Sequence, residues 1–341
     1  MGVGCLHELR WNPLIKQWVV VSPHRATRPW RPDEGVEGGV ACPFCPGAPE
    51  LGHLDRWKVT VLPNKYPALV PESPHPLKPV FRAYEAREAQ GASLVVVETP
   101  EHEGDFHTLS LEHVAEVVET YRSESARLSR LEYVEYVAVF KNKGREVGVS
   151  LTHPHSQIYA LPFTPPRIQA ELNAFEEYRR IGGGCLLCDI LDYERRAGAR
   201  VVYENEQFTA LLPYYAMWPY EIHVCPRGHV RSLRDLDASS VRFLADVLRA
   251  VTATYTELLG RDAPYIMVFH DHPSKGSHAY HFHVEFYQPY RDRGRLKYAA
   301  GIEQGFWVFT YDGAPEERAE ELRDACREGV GMVGGIIGKC F

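Results

Sequence analysis

No stretch of the 341-residue chain is apolar for long enough to cross a bilayer, which takes about 20 residues. The longest apolar runs, such as Leu94–Val97 and Val137–Phe140, are of strand length. Met1-Gly-Val-Gly-Cys5 carries no basic stretch followed by an apolar core, so no secretory leader is expected there. Excess positive charge is also missing. Lys and Arg number 38 against 45 Asp and Glu, a net charge of −7, and a general nucleic-acid coat needs a broad basic field. A site for one small phosphorylated ligand is not excluded. Cysteine is scarce, since eight in a chain of this length do not make a disulfide scaffold. Four of the eight stand in two Cys-x-x-Cys pairs, Cys42/Cys45 and Cys185/Cys188. Without a leader, that spacing reads as metal binding before disulfide, and a cytoplasmic setting follows. The ordinary apolar and charged fractions, 45% and 24%, exclude long disorder, collagen repeats and coiled coil. At roughly 100–200 residues per domain, the length predicts two domains or one large one built of two halves.

What is present is a weak internal repeat. Cys42-Pro-Phe-Cys45 is followed by strand-like runs at Trp57–Leu62 and Ser93–Glu98. Leu111, Val114, Val117, Val118, Tyr121 and Leu128 then share one helical face. A strand at Tyr133–Phe140 leads to His153-Pro-His155. The second half repeats the order: Cys185-Leu-Leu-Cys188, strands at Val201–Leu212 and Glu221–Cys225, and a helix with Val241, Leu244, Leu248, Val251, Tyr255 and Leu258 on one face. Gly260 is its stop signal. A strand at Tyr265–Phe269 leads to His281-Phe-His283. Two copies of one α+β unit packed side by side are predicted, as one large sheet or two abutting sheets with helices on them. The Pro-rich run Leu161–Pro166 puts the boundary between halves 1–166 and 167–341.

Thr152-His153-Pro-His155-Ser-Gln157-Ile158 is the segment with most chemistry. Read as a strand, it sets His153, His155 and Gln157 on one face, because alternate residues point the same way. A lone His-x-His is as readily a solvent-facing polar strand. The approach from Lys141 through Arg145, Gly148 and Ser150 tips the balance, since small residues and backbone N–H groups cradle phosphate. A neutral imidazole with one nitrogen held protonated is a nucleophile. Attack on an α-phosphorus would give a nucleotidyl-histidine. Gln157 is neither acid nor base, which favours an intermediate that waits for an acceptor other than water.

These residues carry a resemblance. His153-Pro-His155-Ser-Gln157 is similar to the active-site motif of the galactose-1-phosphate uridylyltransferase family, in the histidine-triad superfamily. The likeness extends through Trp11-Asn-Pro-Leu14, Ser22-Pro-His-Arg25-Ala-Thr-Arg28-Pro-Trp30, Cys42-Pro-Phe-Cys45, Leu62-Pro-Asn64-Lys-Tyr-Pro-Ala-Leu69, Phe140-Lys-Asn142-Lys-Gly144 and Trp218-Pro-Tyr-Glu221. It implies mainly antiparallel sheet with helices packed on it, in two histidine-triad-like units, the first catalytic and the second not. The implied activity is UDP-glucose–hexose-1-phosphate uridylyltransferase, in galactose metabolism. UMP would pass from UDP-glucose to galactose-1-phosphate by a ping-pong route through His155, with Gln157 holding the transferred phosphate. Asn142, Gly148 and Ser150 would lie around the phosphates, Asn64 on the uridine side. Arg25 and Arg28 would meet phosphates, in the family from a partner subunit, which implies a homodimer with a shared site. Lys297-Tyr-Ala-Ala-Gly301-Ile-Glu303 resembles a sugar-phosphate segment, with Lys297 on the phosphate and Glu303 on the hydroxyls. Two departures, Ser156 for the usual Gly and Lys65 for a frequent Asp, keep an ADP-sugar phosphorylase or adenylyltransferase as the alternative. A non-catalytic nucleotide-binding zinc protein is the lesser one.

For metals, the resemblance implies a structural zinc on Cys42, Cys45, His102 and His153, with His107 the rival to His102. A second site, iron or zinc, is implied on Glu171, His270, His281 and His283, with Glu176 and Glu177 the rivals to Glu171. By the internal repeat, Cys185 and Cys188 would instead take His281 and a further histidine such as His229. The Glu/His set is favoured here. Glu285 stands where the first half has Gln157, so the second copy lacks the full motif.

Overall fold

The computed structural model describes residues 7–27, 42–54, 56–76, 79, 81–149 and 151–341. In chain order the elements are β1 (Glu8–Asn12), β2 (Gln17–Val21), β3 (Thr60–Pro63), β4 (Ala86–Glu88), β5 (Ala92–Val97), α1 (Leu111–Leu128), β6 (Tyr136–Lys143) and β7 (His155–Leu161). The second half follows with α2 (Pro166–Arg180), α3 (Leu186–Ala197), β8 (Val201–Glu204), β9 (Phe208–Leu211), β10 (Ile222–Pro226), α4 (Ala238–Leu259), β11 (Tyr265–His270), β12 (His283–Tyr287), α5 (Gly301–Phe306), α6 (Pro315–Gly331) and β13 (Lys339–Cys340). Among the described residues, no helix is long and apolar enough to cross a membrane.

The fold is α+β, built on one ten-stranded sheet in the order β13-β8-β9-β10-β12-β11-β6-β7-β5-β3. Its ladders are antiparallel throughout. The order mirrors itself about the β6–β11 seam: β3, β5, β7 and β6 on one side answer β9, β10, β12 and β11 on the other. The weak sequence repeat is therefore a pseudo-twofold, with Tyr265 opposite Lys143 and Val268 opposite Phe140 at the join. A small sheet, β2-β1-β4, stands apart.

The two expected helices form for the expected reasons. Ser110 caps α1 by accepting from the His113 N–H, and Asp237 caps α4 by accepting from the Ser240 N–H at 2.7 Å. Gly260 ends α4 with φ of 64°, the left-handed conformation that glycine adopts at no cost. Val114, Val117, Val118 and Tyr121 of α1 and Leu244, Leu248, Val251 and Tyr255 of α4 are all but fully buried. They join Val96, Ile158, Met267 and Phe282 from the sheet in a single core that spans both halves. Each such side chain contributes roughly 1.5–3 kcal/mol. The other face of the second half is covered by Ile168, Leu172 and Phe175 of α2 and Leu187 and Leu191 of α3, packed on Leu211, Cys225 and Tyr280.

The C-terminus docks rather than frays. β13 adds to β8 at the sheet edge, and a Cys326–Cys340 disulfide ties α6 to it. One bridge is not a scaffold, and all four cysteines of the two Cys-x-x-Cys pairs are unbridged.

Candidate functional site

The motif strand begins at His155, not at His153. Pro154 lies between them, and a proline has no N–H to give a ladder. The expected common face therefore holds for His155, Gln157 and Tyr159, which are half-buried, while Ser156, Ile158 and Ala160 turn into the core beneath α1. His153 is a correction to the one-face reading. It is 1% exposed and turns to the Cys42–Cys45 turn instead.

That turn makes the first cluster. Cys42 Sγ and Cys45 Sγ each lie 3.7 Å from His153 Nδ1, and Cys45 Sγ lies 3.3 Å from His102 Nδ1. All four donor atoms fall within 4.8 Å of one another. Tetrahedral zinc, with bonds near 2.3 Å to sulfur and 2.0–2.1 Å to nitrogen, sets S and N roughly 3.5 Å apart, so the set fits. The far nitrogen of His153 meets the Thr99 carbonyl at 2.8 Å, which orients the ring as the outer partner of a metal ligand does. Burial lowers the His153 pKa and raises that of the Cys42 thiol. His107, the rival ligand, lies elsewhere, beside Asp105 and Lys143, and is not in the cluster.

His155 sits next to this anchor. Its Nδ1 is 2.7 Å from the carbonyl oxygen of His153. A carbonyl only accepts, so Nδ1 carries a proton, and in the neutral imidazole the lone pair is then on Nε2. Phe44, inside the Cys-x-x-Cys turn, lies 5.3 Å from the His155 ring. On the same face, Gln157 Oε1 is 3.3 Å from the Tyr159 hydroxyl, which is 3.3 Å from Arg25 Nη1. Arg25 also donates to the Tyr66 carbonyl at 3.0 Å. Arg25 thus lies beside Tyr159 and Gln157 of its own chain. Asn64 shapes the neighbouring loop, its Oδ1 accepting from the Tyr66 N–H at 2.9 Å. Asn142 lies on β6, an even-numbered neighbour of Phe140, which is opposite Gln157. Gly148 closes the turn Arg145–Val147 at φ of 81°, a left-handed value that suits glycine. Arg28 and Ser150 lie outside the described residues.

Beneath the site is an ion network absent from the sequence reading. Lys141 was expected in the phosphate approach, but strand alternation turns it into the core. There its Nζ meets Glu98 Oε2 at 2.6 Å and Asp105 Oδ1 at 2.9 Å. Tyr121 donates to Glu98 and Tyr265 to Asp105. The Glu98 N–H bonds the Pro154 carbonyl at 3.1 Å, so the network supports the turn between the two histidines.

The second half divides its donors differently from expectation. Cys185 and Cys188 Sγ lie 3.4 and 3.3 Å from His281 Nδ1, and Cys188 lies 3.6 Å from His229 Nδ1. His281 therefore belongs with the cysteines, not with Glu171, His270 and His283. The reason is the repeat itself, since His281 stands just ahead of β12 as His153 stands ahead of β7. Burial and the Cys185 thiol push the Cys188 thiol up to about 12, the state a bound cation would reverse. A separate, buried group surrounds Glu285. The Nε2 atoms of His223 and His283 lie 3.3 and 3.4 Å from its Oε1, and His270 Nε2 lies 3.4 Å from its Oε2. Arg167 donates to Glu285 at 2.7 Å. Glu171 contacts His270 Nδ1 at 2.7 Å; burial raises this carboxyl, but the imidazole outweighs burial and holds it at about 2.

Lys297 and Glu303 are brought together, but on the chain's own groups. Lys297, 3% exposed, donates to the Met217 and Thr310 carbonyls. Glu303 caps its own helix at Ala300 and accepts from the Thr310 hydroxyl at 3.0 Å. Neither is the open anchor for a sugar phosphate that the segment predicts.

The fold defines a class: a transferase made of two copies of one α+β unit, with His155 and Gln157 side by side on one strand. Within it, the chain belongs to the galactose-1-phosphate uridyl transferase family. Residues 5–165 match that family's N-terminal domain and residues 171–295 its C-terminal domain. A galactose-1-phosphate uridylyltransferase from Thermotoga maritima is 38% identical over 320 residues, 93% of this chain and 98% of that protein. A solved uridylyltransferase structure superposes with a TM-score of 0.85 at 40% identity, covering 94% of this chain and 99% of the other. An ADP-glucose phosphorylase from Arabidopsis thaliana, solved with bound ADP-glucose, gives 0.71 at 26% identity, covering 93% and 99%.

Proposed function

We propose that this chain is a UDP-glucose–hexose-1-phosphate uridylyltransferase of galactose metabolism, working in the cytoplasm. Its first half, 1–166, carries the chemistry; the second, 167–341, is a non-catalytic copy. The observation that carries the reading is the 2.7 Å contact between His155 Nδ1 and the His153 carbonyl beside Gln157. His155 Nε2 attacks the α-phosphorus of UDP-glucose. The P–N bond forms, the bond to the bridging oxygen breaks, and glucose-1-phosphate leaves. A phosphate oxygen of galactose-1-phosphate then attacks the same phosphorus, the P–N bond breaks, and UDP-galactose departs. The Gln157 amide holds a non-bridging oxygen in both steps without acting as acid or base. Arg25 lies close enough to offset phosphate charge, as preorganised donors do. Asn64 and Asn142 border the nucleotide, with Gly148 on its phosphate side; by the family resemblance Arg28 and Ser150 would also meet phosphate. Lys297 and Glu303 would reach a sugar phosphate only by exchanging their present partners.

Zinc on Cys42, Cys45, His102 and His153 would hold the turn that fixes His155, and it takes no part in transfer. Cys185, Cys188, His229 and His281 offer a second zinc set of the same make. Glu171, His270 and His283, with Glu285 and His223, offer a harder O/N set that suits iron or zinc. A homodimer is the assembly the family resemblance implies.

The adenylyl alternative loses part of its basis. Ser156 is 1% exposed and faces the core rather than the nucleotide, and Lys65 points outward to Glu50 at 3.3 Å. Exposure to UDP-glucose and, in parallel, ADP-glucose, followed by intact-mass measurement, tests the reading. One uridylyl group on His155 is expected. An adenylyl adduct alone would favour the alternative, and no adduct from either would sink both.

A further inference from the structure

Gln157 serves a phosphate only when its amide is turned the right way, and we propose that Tyr159 makes that choice, as a positioning residue for nucleotidyl transfer. The proposal rests on the uridylyl-transfer reading above.

A carboxamide presents an NH2 on one side and a carbonyl on the other, alike in shape and opposite in polarity. Facing the nucleotide, the NH2 donates to a phosphate oxygen, whereas the carbonyl would repel it. The strand brings Gln157 to the right face but leaves this rotation open. Tyr159 is the next residue on that face, and its hydroxyl lies 3.3 Å from Gln157 Oε1. The hydroxyl is itself 3.3 Å from Arg25 Nη1. A guanidinium has only donors, so the hydroxyl accepts from Arg25 and directs its proton to Gln157. That leaves the Gln157 NH2 for the phosphate. The reversed amide would crowd two donors on one hydroxyl and take this acceptor away from the phenol proton.

The hydroxyl is held in place from several sides. The Phe140 ring meets Tyr159 edge-on at 5.2 Å. Leu9, Leu69 and Ala89 pack with it from the first half's outer layer. Arg25 is tied to the Tyr66 carbonyl at 3.0 Å. Both 3.3 Å contacts are at the long end for hydrogen bonds, as catalytic contacts often are before substrate tightens them. With phosphate bound, charge drawn onto the Gln157 NH2 is passed through the phenol to Arg25, and linked hydrogen bonds strengthen one another.

The test uses the full chain, wild type, Tyr159→Phe, Gln157→Ala and the double variant. The readout is the single-turnover rate of uridylyl uptake from UDP-glucose, by quenched-flow and intact mass, alongside the affinity for UDP-glucose. Phenylalanine keeps the packing, so the melting temperature should match wild type. The uptake rate should fall about tenfold, the worth of one well-placed hydrogen bond, with affinity little changed. In the Gln157→Ala background the same substitution should cost nothing more. Wild-type uptake by Tyr159→Phe would overturn the proposal. So would an equal loss in the Gln157→Ala background, because Tyr159 would then act without the glutamine. If wild type itself takes up no nucleotidyl group, the transfer reading fails and takes this proposal with it.

Discussion

His155 Nδ1 lies 2.7 Å from the carbonyl oxygen of His153, two residues back in its own chain. That carbonyl belongs to the residue whose ring closes the Cys42/Cys45/His102 cluster. The proton on His155 Nδ1 and the Cys42/Cys45/His102 cluster thus both meet one residue, its main chain on one side and its side chain on the other.

Removing the His155 imidazole should therefore stop the reaction without disturbing its support. His155→Ala is expected to lose more than about a thousandfold in turnover, as removal of a covalent nucleophile does. Its zinc content and melting temperature should stay at wild-type values. Near-normal turnover by this variant would end the nucleotidyl-histidine mechanism.

The anchor should be separable from the chemistry in the opposite direction. Cys42→Ser takes one ligand from a cluster that joins the chain before β3 to the start of β7. It should lose one zinc per chain in elemental analysis. The melting temperature should fall by several degrees, since about 1 kcal/mol is worth 2–4 °C in a unit of this size. Uridylyl uptake should slow as well, although Cys42 touches no substrate. Full zinc content in Cys42→Ser would show that the cluster is not the site.

Much of this was legible in the sequence because the signals were local. The periodic faces of α1 and α4, the Gly260 stop, the two Cys-x-x-Cys pairs and the alternation of His155 with Gln157 are short-range patterns, and each has a physical reading on its own. What was not legible depended on partners far away in the chain. Lys141 reads only as the start of the approach to the motif until β6 is paired, and then its parity turns it onto Glu98 and Asp105. His281 reads equally well with two ligand sets, and only the turn before β12 decides between them. Lys297 reads as a sugar-phosphate contact because nothing in its own segment shows the Met217 and Thr310 carbonyls that it meets. Tyr159 was readable by extending the alternation two residues, yet its significance needs Arg25, 134 residues away.

The division of donors in the second half can be checked by substitution. If His281 completes the cysteine cluster, His281→Ala in cobalt-loaded protein should lose the share of the thiolate-to-cobalt charge-transfer absorbance that Cys185 and Cys188 supply, and keep the share from Cys42 and Cys45. The His223/His270/His283/Glu285 group should be left as it was. His270→Ala should do the reverse and spare that band. An unchanged band in His281→Ala, with metal lost instead from the His270/His283 group, would restore the grouping read from the sequence.

Lys141 makes a prediction about stability. It is buried between two buried carboxylates, Glu98 and Asp105, and the charges of Lys141 and Lys143 outweigh burial to hold the Asp105 carboxyl far below its usual range. Lys141→Met removes the central cation and leaves the acids facing each other. Breaking such a buried pair from one side costs about 3–5 kcal/mol. Denaturant unfolding should show a loss of this order. Part of it should be regained as pH falls and the acids take up protons. A loss below about 1 kcal/mol would place the network among the surface-like pairs that contribute little.

Asp271 behaves in the opposite sense. It is buried, and burial raises its carboxyl to about 6 although the Arg234 charge pulls it down. In the unfolded chain it titrates near 3.9. Between about pH 4 and 6 the folded chain therefore holds a proton that the unfolded chain has released, so this group's contribution to stability falls as pH rises through that window and levels off above it. Asn at this position keeps an oxygen to accept from the His272 and Leu233 N–H groups, now 2.7 and 3.2 Å away, and carries no charge. Asp271→Asn should then be more stable than wild type at pH 8, by about 3 kcal/mol for a shift of about two units, and no more stable at pH 4. Urea unfolding of both proteins across that range measures the difference directly. A difference that stays flat from pH 4 to 8 would mean that Asp271 is not held against its own ionisation by the fold.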